Sequence, residues 1–89
     1  MENSTEKIEK LQQYAVEVTI EAMNQCTSHE SIADYIEKIF NTTYSGSWHC
    51  KVGKSFGSFD SYDSEYFFQY YIGNLAILLY KSKGPTPFV

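Results

Sequence analysis

The sequence predicts an α+β domain in which a helical first half precedes a strand-rich second half. Three observations predict it. Apolar residues in the first half recur at spacings of three and four, the period of a helix with one buried face. The second half is dense in aromatic and β-branched residues with alternating apolar and polar positions. Gly73-Asn74, set between two apolar runs, is a two-residue loop of the kind that closes a tight antiparallel hairpin.

Each element follows in chain order. Ile8, Leu11, Ala15, Val18 and Ala22 form the apolar stripe of a first helix. Ser4 or Thr5 is the expected cap at its start, with Glu6 and Glu9 favourable in the first turn. Val16, Ile20 and Met23 widen the stripe, which predicts cover on more than one side. "NQCTSHES" breaks the pattern, and Ser28 or Ser31 opens a second helix. Its stripe is Ile32, Ile36, Ile39 and Phe40, and it ends near "NTTYSGS". In "SWHCKVG" Trp48, Cys50 and Val52 share one face of a strand while His49 and Lys51 share the other. "SFGSFDS" is a short segment whose Gly57 lets another backbone approach closely. "SEYFFQYYI" and "LAILLYKS" are the arms of the hairpin, and the unbroken apolar character of "LAILLY" predicts a strand buried on both faces. Pro85 and Pro87 cannot continue a central strand, so the tail is expected to leave the domain.

Composition bounds what such a domain does. A chain of 89 residues with 43% hydrophobic and 20% charged residues is one globular domain near the small end of what folds alone. Aromatic residues reach 17%, which suggests surfaces left open to a partner and a core completed by oligomerisation. The net charge of −4 argues against nucleic acid, whose phosphates need a basic patch. No apolar run approaches the roughly 20 residues needed to span a bilayer, so membrane insertion is not expected. The polar, acidic start "MENSTEKIEK" lacks the apolar core of a secretory signal. Cys26 and Cys50 are therefore read as free cytosolic thiols, and the protein as cytoplasmic.

The adjacent His49 and Cys50 invite a metal or thiol site. Neighbouring strand residues point to opposite faces, however, so the two cannot easily hold one ion. The second histidine and second cysteine lie in the helical half, and no CxxC pair is present. Cys50 shares its face with Trp48 and Val52, a buried and inert setting for a thiol. No metal, cofactor or catalytic residue is expected.

"YSGSWHCKVGKSFGSF" followed by "FFQYYIGNLAILLYKS" closely resembles the small dimeric, peptide-binding dynein light chains. The resemblance runs from about residue 7 to residue 83, so residues 1–83 are taken as the domain and 84–89 as a short tail. It is most specific at Trp48-His49-Cys50, Val52-Gly53, Phe56-Gly57-Ser58 and the hairpin from Gly73 to Ser82. It implies two helices packed on an antiparallel sheet, joined as a two-fold homodimer by a strand crossing into the partner's sheet. Residues 56–61 would be that strand, presenting one edge to the other subunit and one to a client. The clients implied are short motifs of disordered proteins, including a dynein intermediate chain, which add a strand in the groove.

By the same resemblance Phe56, Gly57, Ser58, Phe59, Asp60, Ser61 and Tyr62 take the strand-pairing positions. Phe67, Gln69 and Tyr71 line the groove, while His29 and Glu30 sit at the helix start that receives a client glutamine. His49, Phe56, Ser58, Phe59, Ser61 and Ser82 fall at the dimer interface. The implied role is that of a non-catalytic, cytoskeleton-associated hub, or alternatively a dynein-independent dimerisation hub with diverged clients. The chain departs from the family pattern in several places. It begins too late for the family's full strand before the first helix, and it carries a longer tail. Tyr62 replaces a usual histidine, Gln69 a usual tyrosine, Glu30 a frequent lysine and Asp60 a common apolar residue.

Overall fold

A computed structural model of the chain describes residues 4–44, 46–58 and 64–82. Helix α1 (Ser4–Gln25) and helix α2 (His29–Thr43) come first, followed by strands β1 (Trp48–Gly53), β2 (Ser64–Ile72) and β3 (Leu75–Ser82). The stripe Leu11, Ala15, Val18 and Ala22 is buried along α1, whereas Ile8 is 41% exposed at its start. Helical backbone already includes Ser4 and Thr5, so neither is the cap expected of them. Both serines proposed for α2 are used together. Ser28 is the N-cap, its Oγ accepting the Ser31 N–H at 3.1 Å, and Ser31 Oγ accepts the Ser28 N–H at 3.2 Å.

The strands form one antiparallel sheet in the order β1-β3-β2. The hairpin turns at Gly73, whose φ of +60° is costly for a residue with a Cβ. As the central strand, β3 is buried on both faces, and every residue from Ala76 to Tyr80 is in the interior. Register puts Cys50, Leu79 and Phe68 abreast on one face, and His49, Tyr80 and Phe67 abreast on the other.

The first of these faces packs on the helices. Its core joins Trp48, Cys50, Phe68, Ile77 and Leu79 to Ile36 and Phe40 of α2 and to Ala15 and Val18 of α1. Phe40 is the hub of an aromatic cluster, its ring 5.0 Å from Trp48, 5.3 Å from Tyr44 and 5.7 Å from Tyr14. The buried Thr19 hydroxyl donates to the Ala15 carbonyl at 2.7 Å and meets the Tyr70 hydroxyl at 2.8 Å, tying α1 to β2.

The segment expected to be an extended crossing strand differs where it is described. Phe56–Ser58 form a single 3-10 turn. A strand needs a neighbour for its backbone groups, and within one chain a local turn satisfies them instead. Phe56 folds its ring back onto Tyr71, with centroids 4.6 Å apart. Phe59, Asp60, Ser61 and Tyr62 lie outside the described residues, as does the tail after Ser82. Among the described residues no helix is long and apolar enough to cross a membrane.

Candidate functional site

The sheet face turned away from the helices collects several of the residues expected to bind. Strand alternation places Phe67, Gln69 and Tyr71 of β2 on it, because Phe68 and Tyr70 point to the helices. Phe67 is 42% and Tyr71 53% exposed, two large aromatic side chains on one sheet face. Gln69 is exposed between them. Phe56 leans on Tyr71 from the loop after β1, and the turn carries Gly57 and Ser58 beside it.

His49 and Ser82 lie on this face and are joined, which their separation in sequence did not reveal. His49 Nε2 is 2.7 Å from Ser82 Oγ, and the imidazole stacks on Tyr80 at 5.2 Å. The cause is the β1–β3 register, which pairs His49 with Tyr80 and carries Ser82 past the end of β1, its N–H donating to the Ser47 carbonyl.

His29 and Glu30 are exposed in the first turn of α2, and α2 packs on the opposite side of the sheet. A single chain therefore does not bring them together with Phe67, Gln69 and Tyr71. The Ser28 cap takes the Ser31 donor, and the earlier N–H groups of the α2 start have no intrahelical acceptor.

Two residues not singled out in the sequence occupy the outer edge of β1. Asn41 Oδ1 accepts the Trp48 N–H at 2.8 Å while its Nδ2 donates to the Trp48 carbonyl at 3.3 Å. Glu37 Oε2 accepts the Cys50 N–H at 2.9 Å. Their only signal in the sequence is two polar residues at helical spacing beside an apolar stripe.

Cys50 is buried against α2, and its thiol is pushed well above its usual range by burial first, then by Glu37 and Asp34. The neutral thiol is a poor nucleophile. Cys26 is half-buried and unpaired by any disulfide. Among the described residues no three metal-ligating side chains converge.

Comparison with known proteins agrees with this architecture. Residues 2–82 match the family described as dynein light chain type 1. A cytoplasmic dynein light chain of Emericella nidulans is 42% identical over 80 residues, which cover 90% of this chain and 85% of that one. The match spans both helices, the three strands and the aromatic outer face between them, and the chain belongs to the dynein light chain family.

Proposed function

We propose that the chain is a non-catalytic homodimeric hub that binds short motifs of disordered proteins by strand addition, including a dynein intermediate chain. Residues 1–83 are its working domain and 84–89 a tail. The observation that carries this reading is the pair of exposed aromatics, Phe67 and Tyr71, on the sheet face turned away from the helices in a family member. A chain of this size gains by covering that surface, and a two-fold partner is the economical cover. The interface would include His49, Ser82 and the segment 56–61.

The groove is then a composite of two chains. Phe67, Gln69 and Tyr71 of one subunit meet His29 and Glu30 of the other, since one chain holds the two sets on opposite sides of its sheet. An extended client would pair with the crossing strand and direct alternate side chains into that groove. Two equivalent grooves would let one dimer hold two client chains side by side. The cytoplasm and its cytoskeleton are the expected location, following the cytoplasmic relative.

Client choice should follow charge. Glu30 is exposed at the α2 start, and Asp60 adds a second negative charge on the crossing strand. Basic residues flanking a client motif gain a few tenths to about 1 kcal/mol each from such exposed pairs. Calorimetry with paired peptides differing only in flanking charge, at low and moderate salt, tests this. The basic peptide should bind several-fold tighter at low salt, and Glu30→Lys should narrow the difference. Equal affinities would refute it, and a peptide-array screen in which no short segment of any sequence bound would refute the hub reading.

The exposed Glu30 and Gln69 at groove positions also favour a second reading, a dynein-independent hub with other clients. Co-purification separates the two. Motor subunits would support the first, and unrelated disordered proteins alone the second.

A further inference from the structure

At Trp48 and Cys50 the outer edge of β1 is met by side chains that imitate a strand. In an antiparallel strand, alternate residues direct both backbone groups to the same side. The Ser82 N–H donates to the Ser47 carbonyl, so the backbone groups of His49 and Lys51 turn to β3 and those of Trp48, Cys50 and Val52 to the outer edge. Asn41 offers Trp48 what a paired residue would offer, a carbonyl for its N–H at 2.8 Å and an N–H for its carbonyl at 3.3 Å. Glu37 supplies the next acceptor, taking the Cys50 N–H at 2.9 Å. The fit is geometric. Four residues rise about 6 Å along a helix, and two residues advance about 7 Å along a strand. An i, i+4 pair on α2 running antiparallel to β1 thus meets successive edge donors in register.

We propose that Glu37 and Asn41 are a displaceable guard on this edge, closing it in the single chain and yielding it to an extended segment of a second copy. This rests on the dimer reading given above. The occupant follows from the chain itself. Phe56–Ser58, three residues beyond β1, form a turn rather than a strand in the single chain. In the crossing-strand dimer proposed above, that segment of each copy would meet the β1 of the other, and two-fold symmetry would repeat the contact. Incoming backbone carbonyls and amides satisfy the groups that Asn41 and Glu37 now satisfy, so the exchange conserves hydrogen bonds. The guard protects the monomer from non-specific edge pairing and weakens dimerisation by the interactions that must first be released. Asn41 is exposed and Glu37 half-buried, so both side chains can swing outward without disturbing the core.

The test is the dimer dissociation constant of the full chain, by sedimentation, for wild type, Glu37→Ala, Asn41→Ala and Glu37→Gln. Removing either guard raises the free energy of the monomer alone, so both alanine variants should dimerise roughly three- to tenfold more tightly. Glu37→Gln keeps an acceptor and should stay within about twofold of wild type. Amide exchange gives an independent readout. In dilute monomer Glu37→Ala should speed exchange at Cys50, and in concentrated dimer the same amide should be as protected as in wild type. Folded alanine variants with unchanged or weaker dimer constants would overturn the guard while leaving the dimer reading intact. A wild-type chain monomeric at every concentration would overturn both.

Discussion

His49 and Cys50 are neighbours in sequence with opposite fates. The Cys50 thiol is held protonated by burial, while the unfolded chain ionises near the ordinary value of 9.0. A thiol raised in this way contributes stability that is complete below the unfolded value and lost as pH climbs through it toward the native one. Tyr70, raised mainly by burial from 10.0, acts in the same direction. Thermal stability should therefore fall as pH rises above about 9, and Cys50→Ala should fall less. Alkylation of native protein near pH 8 should label Cys26 about tenfold or more faster than Cys50. Equal labelling would show that the thiol is not sequestered. His49 instead faces outward, bonded to Ser82 and stacked on Tyr80. At a two-fold interface a permanent charge there would meet its own copy. His49→Lys should thus weaken the dimer roughly tenfold or more at neutral pH, measured by sedimentation. An uncharged His49→Gln should retain dimerisation.

At the scale of elements, α2 is the piece that carries most of the consequences. Its start is fixed by the reciprocal Ser28–Ser31 bonds, and its buried side by Ile32, Ala33, Ile36 and Phe40. Ser28→Ala should cost about 1 kcal/mol by chemical denaturation, the usual worth of such a cap. A loss below about 0.3 kcal/mol would mean that packing alone sets this end. The proposed groove reads the same turn, so the variant should also lower client affinity. The link from α2 to β1 requires Gly46, whose φ of +100° suits glycine and whose added Cβ would run into the Lys81 side chain. The hairpin is held by β3, which has a neighbour on each side and both faces covered.

For the whole molecule the decisive quantity is the surface left over. Both helices lie on one side of the sheet, so the other side keeps Phe67, Tyr71 and Phe56 at its surface with Leu78 beneath. Covering each half-exposed aromatic contributes on the order of 1–2 kcal/mol, and two copies double the sum. Stability should accordingly depend on concentration. The unfolding midpoint should rise as protein concentration increases from the low micromolar range. A midpoint independent of concentration, with only monomer in sedimentation, would mean that this face is closed within the single chain.

What the sequence determined by itself is the set of elements and the two sides of each. Periodicity is local. The stripe from Leu11 to Ala22 had to be a buried helix face, Cys50 had to lie with Trp48, and "LAILLY" had to be central, because spacing and side-chain chemistry set these without any distant partner. The family, too, was legible in the run from Trp48 to Ser58 and in the hairpin. Only the tertiary structure decided which element each side meets. A polar residue on a helix has the same pattern whether it faces water or a strand edge, so Glu37 and Asn41 gave no sign of their bonds to β1. The separation of 33 positions between His49 and Ser82 is spanned by a register that no local pattern encodes. The separation of His29 and Glu30 from Phe67, Gln69 and Tyr71 is of the same kind. It follows from which face of the sheet the helices cover, and that choice is made by packing across the whole chain.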